Sequence, residues 1–341
     1  IFAIRGEEYR DPRILIEGLD HILALNPTHL VGAHGPPISG TKKIRDEVTN
    51  YRDGIQFLWD QSVRGINQGL TSDELTNFVQ LPNHFRNSYL TSQLYGVAEH
   101  HVRQIFTGLR GWFDGDEANL FPPDPASRVE KLIEGFGGRE RVRDHAKKAI
   151  ENDDLRWGIE LCSWLVRPIQ GPLNNFEAPT REDQHLLAEC LRKIAQRTTS
   201  ANVRNWCLTR ALEREGEIDL SRHRIHRFSE HVVRNNPASS SVHALKVLLV
   251  PELAEGYNVE MRWEFSNGES TGLCIRNQVA VPTNGENANI RINLAHETWA
   301  KILARKISIS EAHSSDLLST DTSLRKVLAF FEMFDHTSLN Q

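Results

Sequence analysis

The stretch "RERVRDHAKKAIENDDLRWGIELCSWLV", residues 139–166, reads as two helices, 139–151 and 155–166, joined by the polar turn "ENDD" at 151–154. A second pair, 182–197 and 202–215, repeats the arrangement, and the Pro- and Asn-rich "RPIQGPLNNFEAP" at 167–179 links the two. Short polar loops between amphipathic segments place consecutive helices side by side and antiparallel. Upstream, Ile44, Val48, Tyr51, Ile55, Leu58, Val63 and Ile66 recur at steps of about three and four, the seam of one long helix. "TSDELTNFV" then opens a further helix on a Thr71…Glu74 capping box. Residues 41–215 are therefore expected to be all-α, as stacked hairpins without a sharp repeat signature.

The pattern differs at both ends. In "RILIEGLDHILALNP", Ile14, Leu15, Leu19, Ile22 and Leu23 fall on one helical face, and Asn26-Pro27 stops the helix. "HLVGAH" (29–34) predicts a short buried strand that closes into a Gly-Pro turn. Beyond about residue 220 the period becomes two. "NVEMRWEF" alternates Val259, Met261, Trp263 and Phe265 with polar residues, and Asn267-Gly268 turns it into "ESTGLCI". "ANIRINL" is another strand, "AHETWAKILAR" an amphipathic segment, and "LRKVLAFFEMF" a closing helix. This end predicts an α+β domain with an antiparallel sheet.

Composition bounds the function. The chain has 341 residues, 39% hydrophobic and 25% charged, with 40 basic against 45 acidic side chains and a net charge of -5. That is ordinary for a globular protein and lacks the basic excess of a nucleic-acid surface. No apolar run is long enough to span a bilayer. Cys162, Cys190, Cys207 and Cys274 form no C-x-x-C pair and are read as buried free thiols, which fits cytosol or periplasm alike. The compartment stays open.

Histidines are the residues with chemistry to offer. His34, at the end of the expected strand, is placed to project into a cleft, yet a catalytic zinc needs about three protein ligands. In "SRHRIHRFSEH", His223, His226 and His231 stand among arginines that disfavour a cation, so a solvated basic helix is expected. His84, His145 and His313 show no constellation.

Four stretches in order, "IRGEEYRD", "HLVGAHGPPISG", "LYGVAEHH" and "LRGWFDGDEANLFP", resemble the alkyl sulfatase family of zinc-dependent hydrolases. Its members read L-R-G-x-x-x-R-D, a strand ending S-H-H-W-P, Y-G-[ST]-x-x-H, and G-W-F-D-G, and the likeness covers essentially the whole chain. It implies the end of a metallo-β-lactamase αββα catalytic domain over 1–45. A helical dimerisation domain would follow over 46–216, and an α+β domain like sterol carrier protein type 2 over 217–341. By position, His34 falls on the last zinc-binding histidine, although Gly35-Pro36-Pro37 replaces the family's Trp-Pro wall. Arg5 falls on the sulfate-holding arginine, suited to the task because a planar guanidinium offers two parallel hydrogen bonds. His100 falls on the histidine expected to pass a proton to the leaving oxygen, and Tyr95 is a candidate substrate contact. His101 stands where the family tends to carry a polar amide and receives no role; "GWFDG" is read as a structural turn anchored by Trp112 and Phe113.

The family's H-x-H-x-D-H zinc motif is not among these residues. The resemblance therefore implies two zinc ions whose remaining ligands precede Ile1, and a chain that is the carboxyl-terminal part of a homodimeric hydrolase of alkyl sulfate esters. Two alternatives stand beside it: a non-enzymatic dimeric lipid or surfactant binder, and a related hydrolase of another ester.

Overall fold

The computed structural model describes residues 2, 4, 6, 8–167, 179–220 and 228–335. Arg5, His223, His226 and most of the 167–179 link lie outside the described residues. The chain divides into two units, Ile1–Asp219 and Leu220–Gln341. The described residues are mostly helical, with a small mixed sheet in the second unit.

The first unit opens with α1 (Pro12–Leu25), which starts where Asp11 accepts from the Arg13 amide and stops where Asn26 turns left-handed. The strand expected over 29–34 is a correction. Only β1 (His29–Leu30) is extended, paired antiparallel with β2 (Ile38–Ser39). A strand is buried by its neighbours, and a two-residue partner hides nothing beyond Leu30, so Val31 is 77% exposed. The long seam forms α2 (Thr41–Asn67), burying Ile44, Val48, Ile55 and Leu58. It packs with α3 (Ser72–Phe78) and α4 (Ala98–Arg110) around Leu75, Val102, Ile105 and Phe106. The Thr71–Glu74 capping box that begins α3 is present in both directions.

A second core belongs to α5 (Pro125–Gly135), α6 (Arg139–Glu151), α7 (Leu155–Val166), α8 (Arg181–Arg197) and α9 (Ala201–Glu215). Val142 and Ala146 of α6 meet Leu161 and Leu165 of α7, then Leu187 and Leu191 of α8. Asp153, left-handed at φ 69°, and Asp154, which caps Trp157, make the "ENDD" turn. All four cysteines are buried free thiols. Burial drives the Cys162 thiol up to about 12 and the Cys190 thiol to about 11, which leaves both unreactive near neutrality.

In the second unit α10 (Glu230–Arg234) and α11 (Ala238–Ala244) precede a five-stranded sheet. Its strands are β3 (Val259–Phe265), β4 (Ser270–Arg276), β5 (Val279–Thr283), β6 (Ile290–Leu294) and β7 (Leu318–Thr320), in the order β5-β4-β3-β6-β7. Between β6 and β7 come α12 (His296–Leu303) and α13 (Ile309–Ser314), and α14 (Leu324–Phe331) closes the chain. The β3–β4 turn is a three-residue loop: the Phe265 amide donates to the Glu269 carbonyl at 2.8 Å, and Gly268 supplies φ 88°. The expected antiparallel sheet is corrected at its centre, where β6 runs parallel to β3, Met261 facing Ile290 and Phe265 facing Leu294. Residues 284–289 carry the chain from the β5 edge across the sheet, a non-local step that alternation within a strand does not reveal.

That crossing depends on Gly272. A Cβ there would lie 2.5 Å from the Gly285 nitrogen and 2.6 Å from its Cα, atoms that cannot yield as a side chain does. Gly272→Ala should therefore lower the unfolding free energy by about 1–3 kcal/mol. An unchanged urea midpoint would show that the crossing strand segment does not press on this residue. The other sheet face is a tryptophan–phenylalanine core: Trp263 stands 5.8 Å from Trp299 and 6.0 Å from Phe330, ring to ring. The Trp299 indole donates to the Ser241 hydroxyl at 2.9 Å.

Candidate functional site

The segment leading into α4 is held by the start of α9. Thr199 donates its hydroxyl to the Gln93 carbonyl at 2.9 Å, Ala201 its amide to Leu94 at 2.8 Å, and Ser200 its hydroxyl to Tyr95 at 2.5 Å. The Gln93 side chain turns back to accept from the Ala98 amide at 2.7 Å, filling one of the unsatisfied positions at a helix start. Tyr95-Gly96 and the two histidines that follow are thus fixed from three sides.

Consecutive helical residues point about 100° apart, so His100 and His101 face different spaces. His101 lines a cavity of about 250 Å³ with Phe2, Arg10, Tyr51, Thr91 and Tyr95. Its Nδ1 accepts from the Phe2 amide at 3.1 Å, which requires a lone pair on that nitrogen and puts the proton of the neutral ring on Nε2. Burial, with the neighbouring His100 charge a smaller influence, lowers the His101 pKa far below the usual histidine range, so the ring is neutral near pH 7. Gly96 is required by the close approach of this imidazole: a Cβ would sit 2.8 Å from Nε2 and 3.0 Å from the Phe2 carbonyl. Burial likewise raises the Tyr51 hydroxyl, with the Arg10 charge acting against it.

His100 lines a neighbouring cavity of about 420 Å³ with Gln80, Glu99, Arg156 and Thr198. The two cavities share Leu81, Gln93 and Ala98 as a wall. Burial lowers the His100 pKa and the Glu99 carboxylate opposes it. Glu99 is itself held below the usual carboxylate range by its hydrogen bonds from Arg156, the nearer at 2.6 Å.

Of the residues nominated from sequence, Tyr95 stands in the first cavity, His100 in the second, and Arg5 lies outside the described residues. His34 sits on an exposed bend and in neither wall. Among the described residues no group of three or more His, Cys, Asp or Glu side chains is arranged to hold a metal ion. The described donors alone therefore do not assemble the implied zinc pair. Sequence reading nominates neither Arg10 nor Tyr51 and gives His101 no role, yet all three line the first cavity. Arg10 is the second arginine of "IRGEEYRD", a signal that was in plain view. The choice between adjacent histidines turns on how α4 is rotated, which depends on the distant clamp from α9. "GWFDG" differs from expectation in one ring: Trp112 is 75% exposed, its ring centroid 5.4 Å from that of Phe113.

The alkyl sulfatase dimerisation family matches residues 71–217. A linear primary-alkylsulfatase of a Pseudomonas species is 29% identical over 347 residues, covering 98% of this chain and 64% of its relative. The chain is similar to alkylsulfatases over nearly its whole length, and its middle matches their dimerisation domain. A second relative, the alkyl/aryl-sulfatase of Saccharomyces cerevisiae, is 25% identical, with 98% of this chain and 51% of that protein covered. Among solved structures, the stereoselective inverting sec-alkylsulfatase Pisa1 of a Pseudomonas species superposes with a TM-score of 0.83 at 25% identity, over 97% of this chain and 52% of that one. The alkyl sulfatase resemblance read from the motifs is borne out, and this chain spans between half and two-thirds of these relatives.

Proposed function

We propose that this chain supplies the sulfate-facing part of a zinc-dependent alkyl sulfatase that hydrolyses alkyl sulfate esters to alcohol and sulfate. The observation that carries the reading is the 250 Å³ cavity in which Arg10, Tyr95 and the His101 imidazole converge, within a chain related along its length to alkylsulfatases. The Arg10 cation offsets sulfate charge, and the Nε2–H of neutral His101 donates to a sulfate oxygen. Arg5, from the same motif, adds the second guanidinium, and the Tyr95 hydroxyl contacts the ester. His100, in the adjoining cavity, remains the proposed proton donor to a departing alkoxide. His34 would give one imidazole to a zinc centre whose other donors are not among the described residues. The helical unit holds two copies together.

A second reading draws on the other unit. A cavity of about 460 Å³ there is lined by Trp299, Ile302, Leu328 and Phe331, with Arg305 and Lys306 at its edge, a chemistry suited to a long-chain anion. This favours the carrier reading in which the chain binds surfactant without cleaving it.

The deciding experiment assays the protein that carries this chain on dodecyl sulfate beside phosphate and carboxylate esters. Release of inorganic sulfate is expected. Cleavage confined to the other esters would transfer the proposal to a different ester hydrolase, and binding without any cleavage would support the carrier.

A further inference from the structure

Glu99 is the second residue of α4 and Arg156 the second of α7, and the two side chains meet. The Arg156 guanidinium donates to both carboxylate oxygens of Glu99, at 3.2 and 2.6 Å, a two-point contact between the helices. Stability of the fold does not account for it. A cation in the first turn of a helix stands at the unfavourable end of the helix dipole. Arg156 also keeps 83% of its side chain in solvent, where an ion pair contributes little. Glu99 is the less exposed partner, at 28%, and it lines the same cavity as His100.

The field on His100 has few sources. The ring is acted on by burial and by three charges, Glu99, Arg103 and Arg156, and by no hydrogen bond. The cavity walls given by α3, α8 and α9 bring no charged side chain. Arg103, one turn along α4, lies 3.6 Å from Glu99 and also pairs with Asp73 of α3. Among the described residues Glu99 is the one anion lining this cavity, and two guanidiniums and an imidazole share its charge.

We propose that Glu99 is a positioning residue for His100, its charge keeping a proton on the imidazole, and that Arg156 sets how much of that charge the imidazole feels. The inference rests on the reading of His100 as proton donor and says what readies it for that task. An imidazole set into a wall sheds its proton, and an alkoxide takes a proton only from a ring that holds one. The Glu99 carboxylate works against that loss. Arg156, forked onto the same two oxygens, offsets the carboxylate and weakens its hold. The two partners of one bridge therefore act on His100 with opposite signs.

The test is made in the protein that carries this chain. It follows the His100 ring resonance through a pH titration, with the kcat profile on dodecyl sulfate beside it. Glu99→Gln should move the His100 midpoint down by on the order of half a unit, and Arg156→Gln should move it up, the size expected of one nearby charge in a partly wet site. The limb on which kcat falls as pH rises should follow the midpoint each time. Glu99→Asp, which keeps the charge, should return the midpoint toward wild type. A bridge that is only a structural tie loses the same hydrogen bonds in both variants, so both midpoints would shift alike. Shifts of the same sign, or no shift in Glu99→Gln, would overturn the proposal. Opposite shifts with an unmoved kcat limb would uphold the hold of Glu99 on the imidazole and take proton donation away from His100.

Discussion

Asp183→Ala should cost about 3–5 kcal/mol of unfolding free energy, the range for removing one partner of a buried ion pair. The carboxylate is fully buried, and two helices meet on it. Arg139 of α6 donates to one oxygen at 2.7 Å, and Arg143, one turn on, donates to the other at 2.8 Å. Arg139 also donates to the Leu165 carbonyl at 2.8 Å, which ties in the end of α7. Asp183 closes the capping box of α8, exchanging hydrogen bonds with Thr180 at 3.1 and 3.2 Å. Without it, two half-hidden guanidiniums lose their shared counter-charge and α8 loses its cap. Denaturant unfolding should show a lower midpoint at an unchanged slope. A loss below about 1 kcal/mol, the range of an exposed pair, would show that the carboxylate is not structural.

The same residue sets an acid limit. Burial pushes the Asp183 pKa up, but the hydrogen bonds from Arg143, Arg139 and Thr180 together outweigh it and hold the group at about 2. A carboxylate whose folded pKa lies below its unfolded value of about 3.9 contributes stability that is complete above that value and is lost as pH falls through the folded one. The difference between wild type and Asp183→Ala should therefore be constant above about pH 5 and shrink between about pH 4 and 2.

Legibility in the sequence followed the range of the interactions involved. The helices at 139–151 and 155–166 fall where expected because their ends are decided within four residues, by Asp154 on Trp157 and a left-handed Asp153. The Thr71 capping box is equally local. What alternation in "ANIRINL" leaves undecided is the partner of β6, which is chosen by the crossing at Gly272 and Gly285. "HLVGAH" has strand composition, and among the described residues no strand pairs with it beyond Leu30. In the site, the motif residues point to the segment at 95–101, while the direction each side chain takes is set by contacts about a hundred residues away, from Phe2 to His101 and from Ser200 to Tyr95.

Arg10→Ala, made in the protein that carries this chain, should lower kcat/KM for dodecyl sulfate by about 100-fold or more, the scale for removing one preorganised partner of a reacting anion. The expectation rests on the cavity chemistry proposed above: a guanidinium and a neutral imidazole N–H converging on one small space. His101 divides the two roles. His101→Asn keeps an N–H donor and should retain much of the rate, whereas His101→Leu removes it and should lose about 10-fold or more. Because burial holds the His101 pKa well below the ordinary value, its ring is already neutral at pH 6.5, and the wild-type profile should show no limb from this residue there. His100, lowered by burial but opposed by Glu99, titrates in its own cavity, so loss of a limb in His100→Ala and not in His101→Leu would assign proton transfer to His100. Equal rates for wild type and Arg10→Ala, with fold and metal content unchanged, would take the 250 Å³ cavity out of the reaction and leave the sulfate to Arg5 alone.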